Sequence, residues 1–103
     1  MAQTVTISIP AKSWTLITTA AVAAARVQNV GPYGVWVTAT TAAVAPSDAN
    51  VGMIGEIYLQ SMHGFSGDLT LSELFPGTIV ASPYTGYLWV WSNQAARISV
   101  SHA

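Results

Sequence analysis

Residues 86–92, Gly-Tyr-Leu-Trp-Val-Trp-Ser, decide the fold of this 103-residue chain. Successive side chains of a β-strand point to opposite faces of a sheet, so the alternation separates the aromatic residues from the aliphatic ones. Leu88 and Val90 lie on one face. The other face carries Tyr87, Trp89 and Trp91. Because both faces are apolar, the pattern predicts a strand that is buried on both sides.

The aromatic face of this strand has three interpretations. Aromatic side chains dominate the energetics of cores and interfaces alike, so the residues form ordinary core, a subunit interface, or a platform on which a sugar stacks. Trp36 stands between Val35 and Val37, and the same alternation places it opposite the two valines. We expect Trp36 to pair with the aromatic face, whereas Trp14 and Tyr58 fit either layer.

Segments of strand-forming residues separated by turn signals continue along the rest of the chain. The first strand, residues 4–9, alternates apolar residues with Thr and Ser and ends before Pro10. Further strands are expected at residues 14–18, 25–30, 33–40, 53–59, 78–81, 87–91 and 96–100. An Asn-Gln turn at residues 93–94 predicts that the last two strands form a hairpin.

Three segments have less definite patterns. Residues 20–25 are five alanines and a valine, and an extended or irregular conformation is favoured there over a short helix. Residues 63–68 predict a loop because two glycines interrupt them. Residues 69–74 predict either a strand or one turn of helix capped near Ser72.

Together these elements predict one all-β domain over residues 1–103, built from antiparallel strands as a β-sandwich, a jelly roll or a small barrel. Residues 1–10 form a separable N-terminal strand. This strand pairs either within its own domain or, as an arm, with a sheet edge of a neighbouring subunit, because its backbone groups need a partner.

Composition favours an assembly. Charged residues make up 7% of the chain, compared with about 25% in an ordinary soluble domain, and hydrophobic residues make up 51%, so we expect a homo-oligomer.

Three isolated cations are too few for nucleic-acid binding, which needs clustered Lys and Arg. The absence of cysteine excludes disulfides and thiolate metal sites. Residues 16–25 are too short to cross a membrane, and residues 1–14 lack the pattern of a signal peptide.

The residues that catalysis requires are scarce. His63 and Asp68 flank a loop that also contains Ser66, but nothing in the pattern indicates the oxyanion hole that a catalytic triad needs. A metal site needs three or four convergent ligands, and the acidic residues and histidines are too dispersed to supply them. We therefore expect no enzyme activity, no catalytic residues, no metal and no cofactor.

The order of features resembles that of small head-decoration and related virion proteins of tailed bacteriophages. The resemblance is carried by VQNVGP at 27–32, VWVTATTA at 35–42, GEIYLQ at 55–60, FPG at 75–77 and LWVWSNQAARISVSH at 88–102. It covers most of the chain from Trp14 onward and consists of strands and turns, without a chemically unique motif. A tail, baseplate or fibre component, or a carbohydrate-binding module with exposed Trp and Tyr, is the alternative.

The resemblance implies a β-sandwich or jelly-roll-like subunit, usually a trimer, that is made in the host cytoplasm and sits on the outer surface of the capsid. There it would bind the major capsid protein and clamp neighbouring capsomers, without a cofactor. Because a symmetric assembly buries apolar residues where its subunits meet, apolar residues are the candidates for the interface. These candidates are Val5, Ile7, Ile9, Trp36, Tyr87, Trp89 and Trp91.

Overall fold

The fold is known from a computed structural model that describes residues 3–18, 21–42, 44, 57–65, 70–75, 78–79 and 84–102. Within these residues the chain forms eight strands and one single-turn helix. In chain order the elements are β1 (Gln3–Ile9), β2 (Thr15–Leu16), β3 (Arg26–Asn29), β4 (Val35–Thr40), β5 (Ile57–Leu59), β6 (Gly64–Phe65), α1 (Leu71–Leu74), β7 (Tyr87–Trp91) and β8 (Ala96–His102).

The strands pair as one long antiparallel hairpin that has been wrapped around itself. β1 pairs with β8, β2 with β7, β3 with β6, and β4 with β5. Alternate pairs belong to different sheets, and pairing of β8 with β3 and of β7 with β4 completes each sheet. The first sheet has the order β1-β8-β3-β6 and the second β2-β7-β4-β5, which is the connectivity of a jelly roll. The expectation of an all-β antiparallel sandwich is confirmed.

One hydrophobic core lies between the two sheets, because every second side chain of each strand points inward. Full burial of such a side chain contributes about 1.5–3 kcal/mol relative to leaving it exposed. The core residues that are completely buried come from both sheets and from α1; they are Val27, Val35, Val37, Leu71, Leu88, Val90 and Ile98.

The short helix α1 is capped and attached to the sandwich at its N-terminal end. Thr70 caps its N-terminus: the Thr70 hydroxyl accepts a hydrogen bond from the Glu73 N–H, and the Glu73 carboxylate accepts one from the Thr70 N–H. The Leu71 N–H donates to the Ala23 carbonyl and the Leu71 side chain is fully buried, which fixes the helix to the sandwich. Of the two alternatives for residues 69–74 the helix is correct, with its cap at Thr70 rather than near Ser72.

The predicted hairpin of the last two strands is wrong. β7 pairs with β2 and β4 in the second sheet, whereas β8 pairs with β1 and β3 in the first. Residues 92–95 therefore carry the chain across the sandwich from one sheet to the other. The Ser92 hydroxyl, in a buried residue, donates to the Gly34 carbonyl and accepts from the Gln94 N–H. A turn signal specifies a change of direction but does not specify which sheet the next strand joins.

Two further expectations need correction. Gly64 and Phe65 fall in the predicted loop but form β6, which pairs with Val27 and Gln28 of β3. A side chain at position 64 would collide with the β3 backbone, so the glycine permits this close approach.

The strand predicted over residues 78–81 is not formed at Thr78 and Ile79. Both N–H groups donate to the Phe75 carbonyl and continue the turn after α1. Residues 80–81 lie outside the described residues.

The remaining strand predictions are confirmed: β7 has the expected bounds, β1 and β8 are one and two residues longer than expected, and the other strands are shorter. β2, β3 and β4 lie inside the expected segments, and β5 is the described end of the segment 53–59, whose residues 53–56 lie outside the described residues. Residues 21–25 are extended or irregular as expected, with isolated bridges at Val22 and Ala24. β1 pairs along its whole length with β8 of its own chain, the first of the two alternatives for the N-terminal strand.

A buried asparagine ties two loops together at one end of the sandwich. Asn29 is 0% exposed, and its side-chain amide donates to the carbonyl oxygens of Tyr33 at 2.6 Å and Leu59 at 3.2 Å. Its side-chain oxygen accepts from the Gly31 N–H at 3.1 Å. The side chain thus supplies the hydrogen bonds that these buried backbone groups would otherwise make with water.

We expect Asn29→Ala to lower the free energy of unfolding by about 2–4 kcal/mol, because it removes three hydrogen bonds and leaves buried backbone groups without partners. Urea denaturation measures the loss. The neighbouring Gln28→Ala, at a half-buried position on the outer face, is the control and should cost less than about 1 kcal/mol. Equal losses for the two variants would show that Asn29 does not fix the loops.

Candidate functional site

The outer side of the second sheet carries a second apolar cluster, separate from the core. Leu88 and Val90 of β7 point inward, so Trp89 and Trp91 point outward. We call the outward cluster the tryptophan face. It consists of Trp14, Leu16, Trp36, Trp89 and Trp91. The predicted separation of the aromatic and aliphatic sides of residues 87–91 is therefore confirmed, as is the placement of Trp36 with the aromatic side.

Strand register brings these residues together. Trp36 of β4 lies opposite Trp91 of β7 on one side and opposite Tyr58 of β5 on the other. Leu16 of β2 lies opposite Trp89 of β7. Directly opposite side chains in an antiparallel pair have Cβ atoms only about 4.5–5.5 Å apart, so the rings of three strands and the Leu16 side chain of the fourth form one continuous layer.

The tryptophan face has a buried centre and an accessible rim, and we define the rim as Trp36 together with the adjacent Tyr58 of β5. Trp14, Trp89 and Trp91 are only 8%, 7% and 9% exposed. Towards the β5 edge, Trp36 is half-buried and Tyr58 is 49% exposed, and their ring centroids lie 4.7 Å apart at an interplanar angle of 53°. The Tyr58 ring occupies the space that a side chain at Gly34 would fill.

The indole N–H groups of the centre differ in their partners. The Trp89 Nε1–H donates to the Thr40 hydroxyl at 2.8 Å, and that hydroxyl donates in turn to the Ala42 carbonyl at 2.6 Å. The Trp91 Nε1–H is buried and has no acceptor among the described residues. Hydrogen bonding therefore orients the first ring, whereas among the described residues the second is held by packing.

The outer face of the first sheet is polar, in contrast to the tryptophan face. Its β1 and β8 side chains are hydroxyls and one guanidinium, and β3 adds a second guanidinium at Arg26 and an amide at Gln28. An open groove of about 480 Å³ runs along β3 and β6 past Arg26, Gln28 and Gly64. Sequence patterns gave no signal for this groove, because it follows from the pairing of the two-residue strand β6.

The predicted interface residues occupy two separate places. Val5, Ile7 and Ile9 lie opposite core residues of β8, with exposure falling from 49% at Val5 to 1% at Ile9. Tyr87 lies opposite Thr40 and is half-buried. The other three predicted residues, Trp36, Trp89 and Trp91, belong to the tryptophan face. Sequence patterns did not assign Trp14 and Tyr58 to a layer. Register with Trp36 places Tyr58 on this side, and Trp14, which precedes β2, lies there because it packs in the tryptophan cluster.

The described part of the chain does not bring the candidate catalytic residues together in one site. His63 is exposed; its backbone carbonyl accepts from the Asn29 N–H and its own N–H donates to the Gln60 carbonyl. Ser66 and Asp68 lie outside the described residues. Among the described side chains, no group of three metal-binding residues converges. No helix within those residues has the length and hydropathy needed to cross a membrane.

Comparisons with protein-family models, with curated proteins and with solved structures found no match to this chain. The resemblance to phage head-decoration proteins therefore rests on the order of strands and turns in the sequence.

Trp89→Phe should destabilise the protein more than Trp91→Phe, by about 1 kcal/mol in the free energy of unfolding. Both substitutions remove the same atoms from the same face, but only the first loses a hydrogen bond and leaves the Thr40 hydroxyl without its donor. Urea denaturation followed by circular dichroism measures the difference. A Trp91→Phe variant that is the less stable of the two would show that the Trp91 N–H has an acceptor.

Proposed function

We propose that this chain is a non-enzymatic structural protein of a bacteriophage virion, a homo-oligomer that decorates and stabilises the outer surface of the head. The tryptophan face is the observation that carries the proposal. The partner of the protein would be the major capsid protein. The protein would act mechanically, by burying surface across the junctions between capsomers.

The contrast between the two outer faces supports a docking role for the second sheet. An antiparallel sheet in a small sandwich ordinarily packs one face on the core and exposes a polar face to water. The first sheet follows this rule, with Thr6, Ser8 and Ser99 on its outer side. The second sheet carries Trp36, Trp89 and Trp91 in the equivalent position, and Trp14, which precedes β2, packs with them. An apolar outer face of this kind suits contact with another protein.

The rim of the tryptophan face is the part that can contact a partner. Trp36 and Tyr58 keep accessible surface, and Tyr58 lies on β5 at the edge of the second sheet. Trp36 packs against the buried indoles and Tyr58 packs against Trp36, so little side-chain entropy is lost when the two rings bind. Rigid aromatic anchors are the residue type that contributes most to protein–protein affinity.

Repetition converts a small contact into a large effect on the shell. An interface centred on two aromatic side chains is modest, but a decoration protein binds at many equivalent positions of a symmetric capsid. Linked copies bind with an avidity that exceeds the affinity of each contact. The low charge of the chain fits this role, because few charged groups must lose water when the surface is covered.

A carbohydrate-binding module, or a tail, baseplate or fibre protein that binds a receptor glycan, is the second candidate. The exposure of Tyr58 beside Trp36 favours it, since sugars stack on accessible aromatic rings. The angle of 53° between the two rings disfavours it, because a flat polysaccharide surface requires rings that lie in one plane. We therefore rank protein docking above sugar binding.

Tyr58→Ala should weaken binding to phage heads that lack the protein by about tenfold or more, because it truncates an aromatic anchor. Co-sedimentation of the purified protein with heads measures the binding. Tyr84→Ala is a matched control, because Tyr84 is also 49% exposed. It lies three residues before β7, near the end of the second sheet that is farther from Tyr58. The control should bind like the parent protein.

Failure of the parent protein to bind heads would refute the decoration role. Equal losses for the Tyr58 and Tyr84 variants would refute docking through the tryptophan face. Binding to a glycan array that is lost in the Tyr58 variant alone would favour the carbohydrate-binding alternative.

A further inference from the structure

The free edge of β1 is the longest unpaired strand edge in the described part of the protein. β1 lies at the end of the first sheet, and all seven of its residues pair with β8 on one side only. We infer that the other side of β1 pairs with β1 of a second copy of this chain, antiparallel and about a two-fold axis. The inference concerns self-association and does not depend on the virion role.

The β1 edge has none of the features by which proteins ordinarily block strand addition. Such features are charged side chains, internal proline and β-bulges. The sequence Gln-Thr-Val-Thr-Ile-Ser-Ile at residues 3–9 contains no charge and no proline. Its register with β8 runs from Gln3 opposite His102 to Ile9 opposite Ala96 without a bulge. Within the described residues this edge is therefore uncharged, uninterrupted by a bulge and unpaired, so it can accept another strand.

The lengths of the other edges favour a second β1 as the partner. The remaining edge strands are β6 and β2, with two residues each, and β5, with three. Pairing of β1 with any of them would leave most of its backbone groups facing water. Pairing with another β1 engages all seven residues, and two-fold contacts are the commonest kind in homo-oligomers.

A two-fold pair centred on Thr6 is complementary in its side chains as well. It places Val5 opposite the partner's Ile7 and Thr6 opposite the partner's Thr6. Val5 is 49% exposed and Ile7 is half-buried in the single chain, so the pairing covers apolar surface that the edge position leaves open. The absence of charge means that the symmetric arrangement brings no like charges together.

This pairing predicts an even number of copies, in place of the three that the resemblance implies. The pairing buries a narrow strip of surface, so we expect a dissociation constant in the micromolar range. Head binding through Tyr58 and self-association through Thr6 involve different sheets, so failure of one proposal leaves the other open to test.

Thr6→Lys tests the pairing, because it places two lysines directly opposite each other at the two-fold axis. Thr6 is exposed, so the change should leave the fold and its melting temperature intact. We expect the dissociation constant, measured by sedimentation velocity, to rise about tenfold or more. Ser99→Lys is the matched control: it adds the same charge opposite Thr6 on β8, one strand away from the edge, and should associate like the parent protein.

Charge complementation separates pairing from any general effect of the substitution. Thr6→Glu alone should also be mainly monomeric, whereas an equimolar mixture of Thr6→Lys and Thr6→Glu should form a species of twice 10.8 kDa. Three results would overturn the inference: a parent protein that stays monomeric at millimolar concentration, a trimer, or an association that the Thr6 variants leave unchanged. Monomeric variants that do not associate when mixed would overturn the register centred on Thr6.

Discussion

Burial of β7 on both of its faces is the constraint on which the rest of the structure depends. Leu88 and Val90 fill the core between the sheets, while Trp89 and Trp91 form the centre of the tryptophan face. A strand with two apolar faces needs neighbours on both edges and cover on both sides. Pairing with β2 and β4 provides the neighbours, and residues of those two strands complete both layers. Wrapping the chain as a jelly roll brings β2 and β4 to β7 from distant parts of the sequence.

The wrapping makes the chain cross between the sheets repeatedly, and buried polar side chains stabilise two of the crossings. Asn29 lies where the chain leaves β3 for the second sheet, and Ser92 lies where it leaves β7 for the first. Both side chains donate hydrogen bonds to backbone carbonyls on neighbouring loops. These bonds replace those with water that the buried loop backbone loses. Both acceptors, Tyr33 and Gly34, are adjacent in the chain, so polar residues fix one end of a sandwich whose sheets are held together by apolar packing.

Alternation along the sequence predicted the strands and their faces because a side chain's orientation in a strand is a local property. It placed Trp36 with Trp89 and Trp91 correctly. Strand pairing is a non-local property, so the pattern predicted a hairpin where residues 92–95 cross between sheets. The sequence did not predict β6, because a strand of two residues is too short to show an alternating pattern. Glycine at position 64 is typical of a loop, and only its close contact with β3 explains it as a strand residue. The layer of Tyr58 likewise required the register, and that of Trp14, which precedes β2, required the tertiary packing.

The two proposed surfaces are compatible because they lie on different sheets. An antiparallel pair of β1 strands has its two-fold axis perpendicular to the first sheet, so the inner faces of both copies point the same way. The second sheet packs on that inner face, and its tryptophan face therefore points to the same side of the pair in both copies. Two rims, each with Trp36 and Tyr58, would then face one target surface together. Self-association at β1 would in this way raise the avidity of docking without adding a new contact to the target.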